Sequence, residues 1–212
     1  MTILPAGLAG SFPDPQLETR LQAFQDLLLD WNTRVNLISR KEAAPWIHLQ
    51  DSLWFASRIE AGGLEAGGTA PSQKLVDVGT GAGFPGLVTA LARPDLRVTL
   101  VEPQQKKQAF LQAAVRALDL RNVSLLEARA ERGALCATRT PQSWRGPWDH
   151  AVCKALTDPA GFARMAAPLA RCLWFLASEE QASSAAGWTV DARWTVADGR
   201  PRVLLTMIVK ST

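Results

Sequence analysis

Cysteine is scarce in this 212-residue chain, and the three present, Cys136, Cys153 and Cys172, are too widely spaced for a Cys-x-x-Cys metal or redox motif. An odd number closes no disulfide framework, so we expect structural thiols in a reducing compartment and no metal site. Long apolar runs are also missing. The best stretch, Met165–Ala177, is broken by Pro168 and Arg171 and falls short of what a bilayer span needs. The opening residues, MTILPAGLAGSFPDP, lack the basic start and unbroken apolar core of a secretory signal. Together these absences predict a cytoplasmic protein with no membrane partner, and a monomer is the default expectation. A strong charge imbalance is lacking as well: the net charge of +3 and pI near 9.0 tolerate a polyanionic partner without requiring one. No internal repeat interrupts a composition of 47% hydrophobic and 20% charged residues, close to the soluble globular average. This length suits one well-buried α/β core, with roughly fifty or sixty residues left for a cap or extension.

What is present divides the chain in two. Leu17, Leu21, Phe24, Leu27, Leu28 and Trp31 recur at three- and four-residue steps, which predicts an amphipathic helix from about Pro15 to Trp31. A second helix, about Glu42 to Glu60 and interrupted near Pro45, carries Trp46, Leu49, Leu53, Trp54 and Ile59, and should pack on the first. The run AGGLEAGGTAPS, Ala61–Ser72, reads as a flexible connection. We therefore expect a helical extension over residues 1–62 and a catalytic domain over 73–212. From Lys74 the texture alternates: strands at Lys74–Val78, Arg97–Val101, Val123–Leu126 and Asp149–Cys153, with helices at Pro85–Arg93 and Gln105–Leu120. Such alternation predicts an α/β fold, a doubly wound, mostly parallel sheet. Asp158-Pro159 is a helix start, because Asp caps free amides and proline suits the first turn; the helix should end near Ala167. Cys172–Leu176 reads as a further strand, and Trp188–Val196 and Val203–Val209 flank the hairpin signal Asp198-Gly199, so an antiparallel pair closes the sheet.

The richest segment is LVDVGTGAGFPGL, Leu75–Leu87, where a strand runs into Gly79, Gly81 and Gly83 and then a helix. Glycines are needed where the turn is too tight for a Cβ and where a ligand must approach bare backbone. Glu102 directly follows the next strand, where a carboxylate can accept from both hydroxyls of a ribose. Glycines plus acid indicate an adenosine-type ligand. A nicotinamide enzyme would show the same arrangement with G-x-G-x-x-G spacing, whereas this chain has G-x-G-x-G, and neither a substrate domain nor a catalytic pair for hydride chemistry is apparent.

WNTRVNLISR (Trp31–Arg40), HLQDSL (His48–Leu53), the glycine loop and the pair Ala130-Glu131 together resemble the guanine-N7 methyltransferases of small-subunit ribosomal RNA, historically called glucose-inhibited division protein B, over about residues 15–210. The resemblance implies a class I methyltransferase sheet with an N-terminal helical extension, S-adenosylmethionine as donor, and ribosomal RNA or a ribosomal subunit as partner. The implied donor-binding set is Asp77, Gly79, Thr80, Gly81, Gly83, Phe84, Glu102, Ala130, Glu131 and Lys154, with Ala130-Glu131 flanking the adenine. Three departures stand out: Glu102 replaces the more usual aspartate, Cys153-Lys154-Ala155 replaces Ser-Arg-Ala, and Leu176-Ala177-Ser178 followed by Glu179 and Glu180 replaces Leu-Lys-Gly. Lysine keeps a charge but loses the bidentate fork of arginine.

Guanine N7 bears a lone pair and no proton, so its methylation needs positioning and desolvation, not a general base. Asp51 is the candidate to stabilise the charge appearing on the base, with His48 on the same helical face; the plainer alternative is that the two simply fix the helices to the sheet. Asn32 and Asn36 suit base edges or, alternatively, helix-end caps. Lys106 and Lys107, and beyond them Arg116, Arg121, Arg129 and Arg132, suit phosphates or simply a solvated face. Methyl transfer to a small molecule or protein, or a non-catalytic ribosome binder, stays open at this stage.

Overall fold

The computed structural model describes residues 3–39, 45–60, 72–131, 133–196 and 199–209. The glycine-rich connection up to Pro71, residues Glu42–Ala44 of the second predicted helix, Arg132 and Asp198 lie outside them. Among the described residues, ten strands and six α-helices follow a short 3-10 turn: α1 (Leu17–Asn32), α2 (Trp46–Arg58), β1 (Lys74–Val78), α3 (Gly86–Ala92), β2 (Arg97–Val101), α4 (Gln105–Ala117), β3 (Val123–Leu126), β4 (Ala128–Glu131), β5 (Ala134–Ala137), β6 (Ser143–Trp144), β7 (Trp148–Lys154), α5 (Pro159–Ala166), β8 (Ala170–Ala177), α6 (Glu179–Ser183), β9 (Thr189–Thr195) and β10 (Pro201–Ile208).

Seven strands form the main sheet in the order β3-β2-β1-β7-β8-β10-β9. All neighbours are parallel except β10, which runs antiparallel to both β8 and β9. The chain winds outward from β1 through β2 to β3, then returns to β7 on β1's other edge. Beyond the carboxyl ends of β1 and β7 lies the switch point where such sheets bind ligands.

Side chains alternate across the sheet with the two-residue period of a strand. Cys172, Trp174 and Leu176 of β8 join one core; Leu173, Phe175 and Ala177 join the other. The first core is continuous with the helical extension. Leu17, Leu21, Phe24 and Leu28 of α1 and Leu49, Leu53 and Phe55 of α2 are buried with Leu87 of α3 and Phe110 of α4. Each such burial contributes about 1.5–3 kcal/mol.

Polar contacts lock this seam. Arg93, buried behind α3, donates from Nη1 to the carbonyls of Ala56 (3.2 Å) and Ile59, where α2 ends, and pairs with Asp95 at 2.7 Å. A guanidinium on the last carbonyls of a helix complements its dipole. Arg20 on α1 donates to the Leu118 carbonyl beyond α4 (2.9 Å), and Trp54 stacks on Trp194 of β9 with centroids 5.9 Å apart. The second face is covered by α5, α6 and a small antiparallel sheet, β4-β5-β6, which the sequence pattern did not disclose.

One helix boundary and one unpredicted helix differ from expectation for local reasons. α4 stops at Ala117, not Leu120, because Asp119 turns left-handed at φ +45 and the Leu120 amide reaches back to the Val115 carbonyl at 3.0 Å. That closure leaves Leu118 and Leu120 both buried. The Leu-Ala-Ser departure makes the short helix α6: the Ser178 hydroxyl accepts from the Gln181 amide, the Gln181 side chain caps back, and Glu179 and Glu180 occupy the favourable first turn. Among the described residues, no helix is long and apolar enough to cross a membrane.

Candidate functional site

At the end of β1 the backbone turns through three left-handed glycines, Gly79 (φ +77), Gly81 (φ +60) and Gly83 (φ +91). The amides of Gly79 and Thr80 both donate to the Val101 carbonyl at 3.0 Å, tying the loop to the end of β2. Two of these glycines serve different needs. A Cβ on Gly83 would come within 2.8 Å of Leu87, so close helix packing excludes it; one on Gly81 would meet nothing nearer than 4.0 Å, so that backbone faces open space.

Asp77, fully buried beneath the loop, accepts from the Gly86 amide at 2.8 Å and so anchors α3. Burial pushes its carboxyl up to about 7, against the opposing pull of the Thr80 hydroxyl, the Gly86 amide and the Lys154 charge. Glu102 closes the loop from the other side, its Oε2 accepting from the Gly81 amide at 3.1 Å and its Oε1 from the Gln104 amide at 2.9 Å. The Gln108 amide group donates to the carbonyls of Glu102 and Leu126, both at 2.8 Å, and so holds the ends of β2 and β3 together.

A hollow of about 240 Å³ opens beside this loop, with Gly79, Val101, Pro103, Ala130, Glu131, Leu156 and Met165 in its wall. The wall is mainly apolar with a charged rim, as a flat purine requires. The bare loop, the mainly apolar slot and a carboxylate at its edge fit an adenosine moiety. Ala130 and Glu131, implied only by resemblance, line the hollow together with Gly79; Asp77, Thr80, Gly81, Gly83, Glu102 and Lys154 are not in its wall, and neither is Phe84. Its ring is 5.7 Å from Phe24 and 5.1 Å from His48, toward the helical extension.

On the far side of the loop, β7 delivers Lys154. Its Nζ lies 2.8 Å from His48 Nδ1 and 2.9 Å from Asp51 Oδ2, over the Phe84 ring at 5.9 Å. An ammonium has no lone pair, so Nδ1 accepts and the imidazole proton resides on Nε2. Asp51 is only 1% exposed; its Oδ1 accepts from Trp194 Nε1 at 3.0 Å, and its Oδ2 also faces Arg202 Nε at 3.5 Å. Three of the predicted residues, from α2 and β7, thus meet in one cluster, and Trp194 and Arg202 of the closing hairpin complete it. Neither of those two carried a local signal.

Ala155 bridges the two halves. It stands at φ +57, a conformation that costs a side-chain-bearing residue about 1–2 kcal/mol, and it sends Lys154 toward His48 while Leu156 covers Gly79. The remaining candidates lie farther out. Asn32 Oδ1 accepts from the amides of Leu37 and Ile38 at 2.8 and 3.0 Å, closing the turn after α1, while Asn36 is exposed. Lys106 is exposed and Lys107 half-buried in the first turn of α4, on the same edge of the sheet as Glu102.

The strand order and the glycine loop define the fold of class I methyltransferases. A SAM dependent methyltransferase from Aquifex aeolicus has a similar structure, with a TM-score of 0.51 at 16% identity over 78% of this chain and 94% of that one. The chain belongs to the GidB family, described as rRNA small subunit methyltransferase G, which it matches over residues 17–177. Relatives bearing the name ribosomal RNA small subunit methyltransferase G include one from Roseiflexus sp. strain RS-1, 43% identical over 66% of this chain, and one from Xanthomonas axonopodis pv. citri, 34% identical over 88% of it. The chain spans little more than half, 55%, of the Roseiflexus protein and 83% of the Xanthomonas protein.

Proposed function

We propose that this chain transfers the methyl group of S-adenosylmethionine to guanine N7 in small-subunit ribosomal RNA, acting as a cytoplasmic monomer on RNA or on the ribosomal subunit. The observation that carries this reading is the pairing of two adjoining sites on one loop. On one side lies a mainly apolar hollow walled by Gly79 and by Val101 and Pro103, the residues flanking Glu102; on the other, a cationic group held by the helical extension that the family shares. S-adenosylmethionine supplies an activated methyl on a sulfonium centre, so the chain need only bind, orient and exclude water.

Gly79, Thr80, Gly81 and Gly83 offer backbone to the donor, supported from below by Asp77. Glu102 accepts from its ribose: each carboxylate oxygen takes one amide here and retains further acceptor capacity. Ala130 and Glu131 border its base, and Phe84 walls off the loop's far side. Because N7 has no proton to remove, His48 and Lys154 serve as hydrogen-bonding groups and not as bases. Lys154 presents a positive charge suited to an acceptor atom such as guanine O6, next to N7 on the same base edge. Asp51, too buried to reach a base, is a positioning residue acting through Lys154. We assign Asn36, Lys106 and Lys107 to RNA contact, a reading supported by the exposure of Asn36 and Lys106, whereas the Asn32 side-chain oxygen is engaged by the turn it closes.

The test is transfer of labelled methyl into small subunits that lack the modification, with the product base mapped, alongside calorimetry of donor binding. Label at a guanine N7 supports the proposal. Donor binding without label in RNA overturns the acceptor, and no heat with the donor or its demethylated product overturns the whole reading.

A further inference from the structure

Beside the donor hollow lies a second, larger and more open one of about 540 Å³, walled by Ala130, Gly133, Arg145, Gly161, Arg164, Met165 and Pro168. The two share Ala130 and Met165, so they form adjoining stretches of one groove. Three structural elements meet there: the β4–β5 turn, the segment after β6, and α5. The small sheet that frames it is the part of the fold that sequence periodicity did not disclose.

The charged residues of its wall are both arginines. Exposed arginines elsewhere fall into two sets: Arg34, Arg58, Arg139 and Arg193 pair with Asp30, Asp191, Glu127 and Glu179, whereas Arg97, Arg116 and Arg171 form no ion pair among the described residues and line neither hollow. Arg145 and Arg164 are exposed and form no ion pair among the described residues, and the same holds for Arg129 on the rim of the donor hollow. The nearby acids do not neutralise them. Asp158 caps α5, accepting from the Gly161 amide at 2.6 Å, and Glu131 stands at the donor hollow. Like charges converging without counter-charges cost free energy, which an anion spanning them recovers. Guanidinium forks match phosphate oxygens in geometry.

We propose that this groove, with Arg145 and Arg164 as its anchors and Arg129 continuing it toward the donor hollow, holds the phosphodiester backbone of the RNA substrate on the side of the donor opposite Lys154. The proposal rests on the reading of the chain as an RNA methyltransferase. An open concave surface with cations on two walls suits a strand laid along it, whereas a small anion would require an enclosed pocket. The RNA then brackets the donor site, with the target base at the Lys154 side and flanking phosphates in the groove.

The experiment measures binding of a small-subunit RNA fragment by the full chain across a salt series, for the parent, for Arg145→Gln/Arg164→Gln, and for a control pair, Arg34→Gln/Arg193→Gln. Losing two phosphate contacts should make the slope of log affinity against log salt shallower by about 1.4–1.8, with affinity at least about tenfold weaker. Donor binding by calorimetry should be unchanged, because neither arginine touches the glycine loop. A slope matching the parent's overturns the groove, as does an equal loss in the control pair, which would indicate diffuse attraction. Failure here is separable from failure of the proposed function. Normal methyl transfer with an unchanged slope removes the groove alone; a lost slope without any transfer to RNA keeps the groove and removes the activity.

Discussion

Asp51→Asn deletes one negative charge from a site where Lys154 Nζ stands 2.9 Å and Arg202 Nε 3.5 Å away, while leaving an amide oxygen able to accept from Trp194 Nε1. The volume barely changes, so the effect is electrostatic. Removing one member of a fully buried pair costs about 3–5 kcal/mol, because the remaining charge is left without compensation. Here the cations keep some water, Lys154 being 14% and Arg202 19% exposed, so part of that penalty is relieved. The expected loss is about 2–4 kcal/mol, which in a chain of this size lowers Tm by about 4–16 °C. Denaturant unfolding of the parent, Asp51→Asn, Lys154→Met and the double variant measures it. The double variant should be less destabilised than the singles added together by at least about 1 kcal/mol, because the charges removed were compensating each other. If Asp51 is a positioning residue, kcat should fall in Asp51→Asn while donor affinity stays near the parent value. A loss below about 1 kcal/mol, or additive single effects, would refute the claim that Asp51 holds Lys154 in place.

Gly86→Ala should be the more damaging of two glycine changes, since its Cβ would meet Leu100 at 2.5 Å and Asp77 at 2.7 Å in a fully packed core. A loss of about 3 kcal/mol or more is expected for it, against about 1–2 kcal/mol for Gly79→Ala, whose Cβ meets only the flexible end of half-exposed Leu156. Unfolding midpoints decide, and the reverse order would contradict the packing. Ala155→Gly should raise stability by about 1 kcal/mol by relieving the left-handed strain at φ +57, so a lower Tm would show that no strain is stored there. Asp77 gives a pH dependence of definite sign. Its carboxyl stands at about 7 when folded against 3.8 when exposed, so the folded chain keeps a proton that the unfolded chain has lost between those values. The contribution is fully present below about pH 4 and disappears as pH rises through 7, on the order of 4 kcal/mol in all. Relative to the parent, Asp77→Asn should gain stability across that window, and parallel curves would exclude the shift.

Much of the sheet was legible because its signals are local. β1, β2 and β3 occupy the predicted residues, α1 begins and ends within two residues of expectation, and Asp158 caps α5 as its sequence implies. Hydrophobic period, proline and a capping side chain act over a few residues, where neighbouring positions are bound together by the chain itself. The glycine loop was readable for the same reason: left-handed backbone at Gly79, Gly81 and Gly83 is a property of single residues. The small sheet was hidden because β6 is two residues long and β4 pairs through a short turn, too little for a period to appear. Ser178 and Gln181 did carry a capping-box pattern, so α6 was within reach of a local reading.

The amino-acid order alone determined which segments are strands and helices, where the backbone is bare, and the family pattern of the glycine loop and the segments before it. Only the tertiary structure decided that Asp51 and Trp194, 143 positions apart, share a hydrogen bond, that Lys154 sits between His48 and Asp51, and that Arg145 and Arg164 line one groove. The reason is that a charge or an indole carries no record in its neighbours of what it will meet. Its partner is chosen by how the sheet twists and how the helical extension packs, and those are set by the sum of many weak burials spread over the whole chain.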